Sequence, residues 1–268
     1  MTVRLEVHDH VALLTLDRPE VRNALTVALL DELARLVTDC DRRHDVRAMV
    51  LTGADPAFCS GMDLRAFATD TGPAAERARA TDGRFRAFPE HATPIIGAIN
   101  GPAVTGGLEL ALGCDFLIAS ERARFADTHG RVGVMPGMGM TVRLPALIGI
   151  DRARRMSLTG DFIDARVAYE WGLVTEVVAH DELVPRAMAL ASTIASVPTA
   201  HVEALRAQYD DVQSHVGDAA WDAETRRSQA WMRERFDRAR LATERAGIIE
   251  RGRSGGSSPE RPGRPGPR

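Results

Sequence analysis

Along Val3-Arg4-Leu5-Glu6-Val7 apolar and polar residues alternate, and a second apolar-rich run follows at Val11-Ala12-Leu13-Leu14-Thr15-Leu16. With His8-Asp9-His10 as the polar break, the pattern predicts a β-hairpin that ends at Asp17-Arg18-Pro19-Glu20. From Thr26 the period changes. Leu30, Leu33, Val37 and Cys40 share one face while Asp31, Glu32, Arg35 and Asp39 take the rest, which predicts a surface helix of about four turns.

Val46 to Leu51 has the composition of a strand, with a turn at Thr52-Gly53-Ala54-Asp55-Pro56. The stretch from Arg65 to His91 has weak periodicity, compatible with a helix reached through a loop over a site or with an ordinary solvated helix. Ile95, Ile96, Ala98 and Ile99 predict a covered strand before the Asn100-Gly101-Pro102 turn. Short strands follow at Phe116 to Ala119 and Arg124 to Phe125, and a loop carries His129. Helical spacing returns at Thr141 to Ile148, Asp151 to Leu158, Ala165 to Trp171 and Asp181 to Ile194, with a strand at Leu173 to Val178. Strands alternating with helices define an α/β class.

After Pro198 the chain is helical and highly charged, with Trp221, Trp231, Met232 and Phe236 set among Arg and Glu, so its apolar residues need a partner surface. This divides the chain into an α/β core over 1–197, a helical region over 198–252, and a tail over 253–268 whose Ser, Gly and Pro content predicts disorder.

A formal net charge of -3 argues against a polyanion-binding face, so nucleic acid is not an expected partner. Cys40, Cys59 and Cys114 have no C-x-x-C pairing and are odd in number, which fits a reducing compartment. Without an apolar signal core or a membrane-length apolar run, the expected location is the cytoplasm.

The chemistry concentrates between Pro94 and Asp115. Thr105 is a candidate N-cap, and Leu108, Ala111 and Leu112 recur on one helical face, so Gly106 and Gly107 fall in the first turn with N–H groups free of intrahelical partners. Such donors can approach a developing oxyanion closely, and Glu109 lies within the same turn. A carboxylate there suits proton abstraction or water activation beside a carbonyl; equally, it can simply complement the helix dipole. A second strand and glycine-containing turn, with a helix expected after it, occurs at Ala57 to Leu64, so two backbone donors from separate loops can converge.

Other motifs fail. Gly137-Met138-Gly139 lacks the third glycine of a dinucleotide loop, no phosphate-loop lysine motif occurs, Ser60 is not framed as G-x-S-x-G, and no histidine pair has zinc spacing.

Several spaced motifs resemble the crotonase, or enoyl-CoA hydratase/isomerase, superfamily. They are Arg18-Pro19 with Asn23-Ala24-Leu25, Ala57 to Leu64, Asn100-Gly101 through Gly106-Gly107-Leu108-Glu109-Leu110-Ala111, and Cys114-Asp115. Phe125-Ala126-Asp127, Gly133 to Gly137, Leu158-Thr159-Gly160, and Ala165 and Ala168 with Gly172-Leu173-Val174 extend the likeness over roughly residues 3 to 250.

The resemblance implies a spiral of ββα repeats and a C-terminal helical region used in trimer contacts, as a homotrimer or dimer of trimers. It implies no permanently bound cofactor and no metal, with a coenzyme A thioester as substrate. By that analogy the Ser60 and Gly106 N–H groups form the oxyanion hole. Arg22, Ala24, Phe58, Cys59 and Ser60 lie along the CoA, and Met62, Leu64, Gly107, Pro136 and Gly137 line the acyl pocket. Glu109 matches the first catalytic glutamate of the family's hydratases, while His129 stands where the second belongs. Imidazole can serve as acid or base near neutral pH, or merely hold a water. The reading therefore favours an enoyl-CoA hydratase, with an isomerase or a non-catalytic acyl-CoA binder as alternatives.

Overall fold

The computed structural model describes residues 2–63 and 86–234. Leu64, the helix expected after Ser60, most of the 65–91 stretch, Phe236 and the 253–268 tail lie outside the described residues.

The hairpin forms as β1 (Val3–His8) and β2 (Val11–Leu16), paired antiparallel with His8 opposite Val11. Its two-residue turn puts Asp9 and His10 at φ 44° and 69°, the left-handed geometry that matches strand twist. Helix α1 (Val27–Asp41) starts where the Thr26 side chain accepts from Leu29 N–H. Its buried face is Leu29, Leu33, Leu36, Val37 and Cys40, with the expected Leu30 only half-buried at its margin.

Strands β3 (Ala48–Gly53), β4 (Ile95–Ile99), β6 (Phe116–Ser120) and β9 (Glu176–Val178) continue the sheet in the order β1-β2-β3-β4-β6-β9. Every pairing after the hairpin is parallel. Both faces are covered, so successive residues of one strand enter opposite layers. Ala48, Val50, Ile96 and Ala98 pack on Leu183, Ala187, Ala191 and Ala195 of the long helix near the C-terminal end of the core, while Met49, Leu51, Ile95 and Ile99 join Leu14, Leu29 and Leu33. This two-sided burial is why these strands read as continuous apolar runs rather than alternating ones.

A second, three-stranded sheet, absent from the sequence expectation in this form, holds β5 (Pro102–Val104), β7 (Arg124–Ala126) and β8 (Ile163–Asp164). The Asn100-Gly101-Pro102 turn thus leads into a strand, with helix α2 (Gly106–Leu112) only after it. Likewise β6 and β7 lead to the short helix α3 (His129–Val132), so strand, strand and helix succeed one another twice. The remaining α-helices among the described residues are α4 (Met140–Ile148), α5 (Ile150–Thr159), α6 (Ala165–Trp171), α7 (Leu183–Ala195) and α8 (Thr199–Glu234). No described helix is long and apolar enough to cross a membrane.

Two local expectations need correction. Thr105 does not cap α2 with its side chain: it sits at φ 54°, ψ -113°, and its hydroxyl accepts from Thr128 N–H instead. A β-branched residue at positive φ is a strained arrangement that only its surroundings can hold. His129, expected in a loop, instead begins α3 and is buried.

Candidate active site

The segment through Cys59 runs beside β5, with Cys59 N–H donating to Pro102 O at 3.1 Å and Val104 N–H to Cys59 O at 3.0 Å. This presses residues 59–62 onto the start of α2. A Cβ at Gly107 would stand 2.2 Å from Cys59 O, and one at Gly61, itself at φ 90°, would stand 2.8 Å from Val104 O. Glycine is required at both for close backbone approach.

The two expected oxyanion donors differ in their surroundings. Gly106 opens α2, where an N–H has no intrahelical acceptor. Ser60 N–H, however, donates to Arg22 O at 3.0 Å, so it cannot point at a ligand carbonyl. Two residues on, Leu25 N–H donates to Gly61 O and Asp63 N–H to Leu25 O, which turns the intervening Met62 N–H away from that ladder. Among the described residues no backbone carbonyl accepts from Met62, and its nitrogen lies 3.6 Å from where a Cβ on Gly106 would be.

Of the residues expected along the CoA, Arg22 and Ser60 remain partly exposed. Ala24, Phe58 and Cys59 have buried side chains, and the Cys59 N–H and C=O bond to Pro102 and Val104 of β5. Met62, Pro136 and Gly137 are half-buried, and Gly107 is buried against Cys59.

Glu109 is only 2% exposed on α2, and its Oε1 accepts from Gly137, Met138 and Met140 N–H at 3.2, 2.8 and 3.3 Å. Those amides precede and begin α4, so the helix start satisfies a carboxylate that burial would otherwise penalise. The other oxygen, Oε2, faces His129 Nε2 at 3.5 Å. The expected pair therefore meets, 20 residues apart in sequence and side by side in space.

A third member, Asp127, was quoted in the sequence only as part of a motif. It is fully buried, accepts from His129 Nδ1 at 2.6 Å and from its backbone N–H at 3.2 Å, and receives the Ser157 hydroxyl on its second oxygen at 2.5 Å. The signal was the D-x-H spacing, which lets one carboxylate reach both the amide and the ring of the residue two positions on. Burial works against a charged imidazole, but the charge and hydrogen bond of Asp127, with Glu109 adding to them, outweigh it and push the His129 pKa up to about 10. Burial alone would raise the Asp127 pKa; His129 and the Ser157 hydroxyl hold it below the ordinary carboxylate value. The site thus brings the His129 imidazole between the carboxyl groups of Asp127 and Glu109, with Glu109 on the same helix that Gly106 opens.

A backbone N–H at a helix start, a buried carboxyl group and a hydrogen-bonded imidazole are the group types that chemistry next to a carbonyl uses. The family model for enoyl-CoA hydratase/isomerase matches residues 6–240, and the chain belongs to that family. It is 41% identical over 215 residues to (E)-benzylidenesuccinyl-CoA hydratase of Thauera aromatica, covering 77% of this chain and 81% of that protein. Probable enoyl-CoA hydratase 1, peroxisomal, of Arabidopsis thaliana is 38% identical over 193 residues, 69% of each chain. The crystal structure of enoyl-CoA hydratase from Mycobacterium tuberculosis H37Rv superposes with a TM-score of 0.79 at 44% identity, covering 87% of this chain and 100% of that one.

Proposed function

We propose that this chain is an enoyl-CoA hydratase that adds water across the double bond of a trans-2-enoyl-CoA. The observation that carries the proposal is the 3.5 Å meeting of Glu109 Oε2 and His129 Nε2. Two atoms at that separation can both lie about 2.8 Å from one water oxygen. Glu109 takes a proton from that water as its oxygen attacks C3, and the C2–C3 electron pair moves to make an enolate of the thioester. The Gly106 N–H, with the Met62 N–H in place of that of Ser60, holds the enolate oxygen. His129 then gives its Nε2 proton to C2, and the proton on Glu109 passes across to the imidazole, restoring both groups.

In this reading Arg22 binds a CoA phosphate, which its partial exposure beside Ser60 supports. No bound cofactor enters this reading. The proposed assembly is a homotrimer or dimer of trimers, supported by the exposed apolar residues Leu147, Ile150, Leu158 and Tyr169 on α4 to α6. Incubating trans-2-enoyl thioesters of graded chain length with the protein tests the activity. Loss of the conjugated ultraviolet absorbance with a 3-hydroxyacyl-CoA product by mass supports it, whereas interconversion of 2- and 3-enoyl isomers, or binding without either product, refutes it.

A further inference from the structure

Around residue 224, helix α8 carries exposed charges with one exception. Asp222, Arg226 and Arg227 are exposed, but Glu224 is only 6% exposed. It accepts from Gly139 N–H and Thr141 N–H, each at 2.7 Å, and from the Thr141 hydroxyl. The residues between and before these donors, Gly137, Met138 and Met140, give their N–H groups to Glu109. Two buried carboxylates therefore divide one backbone segment between them, Glu109 from α2 and Glu224 from α8.

Further contacts tie α8 to the same segment. Trp231 Nε1 donates to Gly133 O at 2.9 Å and the Ser228 hydroxyl to Met135 O at 3.3 Å. The Trp221 ring occupies the space beside Gly139, where a Cβ would come within 2.3 Å of it. Arg143 lies over that ring at 5.8 Å and donates to Leu112 O at 2.6 Å, closing the circuit back to the helix that carries Glu109.

We propose that Glu224 is a positioning residue for the general base: from the C-terminal helix it fixes the Gly137–Thr141 backbone whose amides anchor Glu109 Oε1, and so leaves Oε2 aimed at His129. The expected partner surface for the C-terminal tryptophans is thus, in part, the active-site segment of the same chain. A buried acceptor with three donors resists displacement, since withdrawing it leaves two main-chain N–H groups unpaired. The inference rests on the hydratase reading for its kinetic consequence, but its structural half does not.

The test uses the full chain as Glu224→Ala, Glu224→Gln, Thr141→Val and Trp231→Phe, with enoyl-CoA hydration and amide hydrogen exchange measured together. Glu224→Ala is expected to lower kcat about ten- to hundredfold, as a misplaced base would, with KM within about twofold. Exchange should rise at Gly137, Met138 and Met140, whose acceptor is Glu109, not only at Gly139 and Thr141. Glu224→Gln, which keeps an acceptor oxygen, should recover part of kcat, Thr141→Val should fall between it and wild type, and Trp231→Phe should stay near wild type. Unchanged kcat in Glu224→Ala, or a loss that Gln does not relieve, overturns the proposal. A wild type inert toward all enoyl-CoAs refutes the hydratase reading instead. The exchange arm then decides alone: added protection loss at the three Glu109-bound amides supports the bracket, and its absence overturns it.

Discussion

Asp127→Asn removes a charge that never touches the substrate in the proposed mechanism, yet it should change how activity depends on pH. Asp127 Oδ1 and His129 Nδ1 are 2.6 Å apart, with side-chain exposures of 0% and 8%. At an effective dielectric near 20 this pair is worth about 6 kcal/mol, or about 4 to 5 pKa units on the imidazole. Subtracting that from a value near 10 leaves His129 at about 5 to 6, because burial then opposes a charge that Glu109 alone supports. At pH 8 only about one His129 in a hundred to one in a thousand would keep its proton, against nearly all in wild type. Asparagine keeps an oxygen to accept from Nδ1–H, so ring orientation survives while the acid is lost. The assay is a kcat profile for enoyl-CoA hydration across neutral pH in both proteins, with ring protonation followed by nitrogen NMR. Wild type should be level on its alkaline side to about pH 9; the variant should fall from about pH 5 to 6 and recover on acidification. Superimposable profiles would refute the assignment of His129 as the acid held charged by Asp127.

Other consequences are separate. Glu109→Gln should lower kcat about 100- to 10,000-fold, as loss of a general base does, while acyl-CoA affinity measured by calorimetry changes little. Gly107→Ala places a methyl 2.2 Å from a backbone oxygen that cannot yield, and should lower stability by about 1–3 kcal/mol in urea titrations as well as reducing hydration. Because the folded-state pKa of His129 is raised to about 10, its contribution to stability is complete below the ordinary imidazole value of about 6.5 and is lost as pH rises toward about 10. Urea midpoints across that window should therefore fall in wild type and much less in His129→Gln; an equal fall in both would contradict the charged pair.

Periodicity and punctuation along the chain were enough for the hairpin, α1, β4, β6 and α4 to α7, because each follows from neighbours in sequence: alternation, a change of period at Thr26, or an apolar helical face. The same local reading placed Gly106 in a first turn and singled out Glu109, since backbone geometry at a helix start is a short-range property, whereas His129 stood out only through the family resemblance. It could not distinguish Ser60 from Met62 as the second donor. Which amide of a glycine turn is free depends on where Arg22 O and Leu25 fall, across a gap of nearly 40 residues. Nor could it anticipate that His129 is buried against Asp127, that Thr105 is held at positive φ by contact with Thr128, or that α8 returns to the Gly133–Thr141 segment. Those are decided only when distant segments pack and each buried charge must find its partner. Local sequence determines which groups are offered; the closed fold determines which of them remain unpaired and therefore available for chemistry.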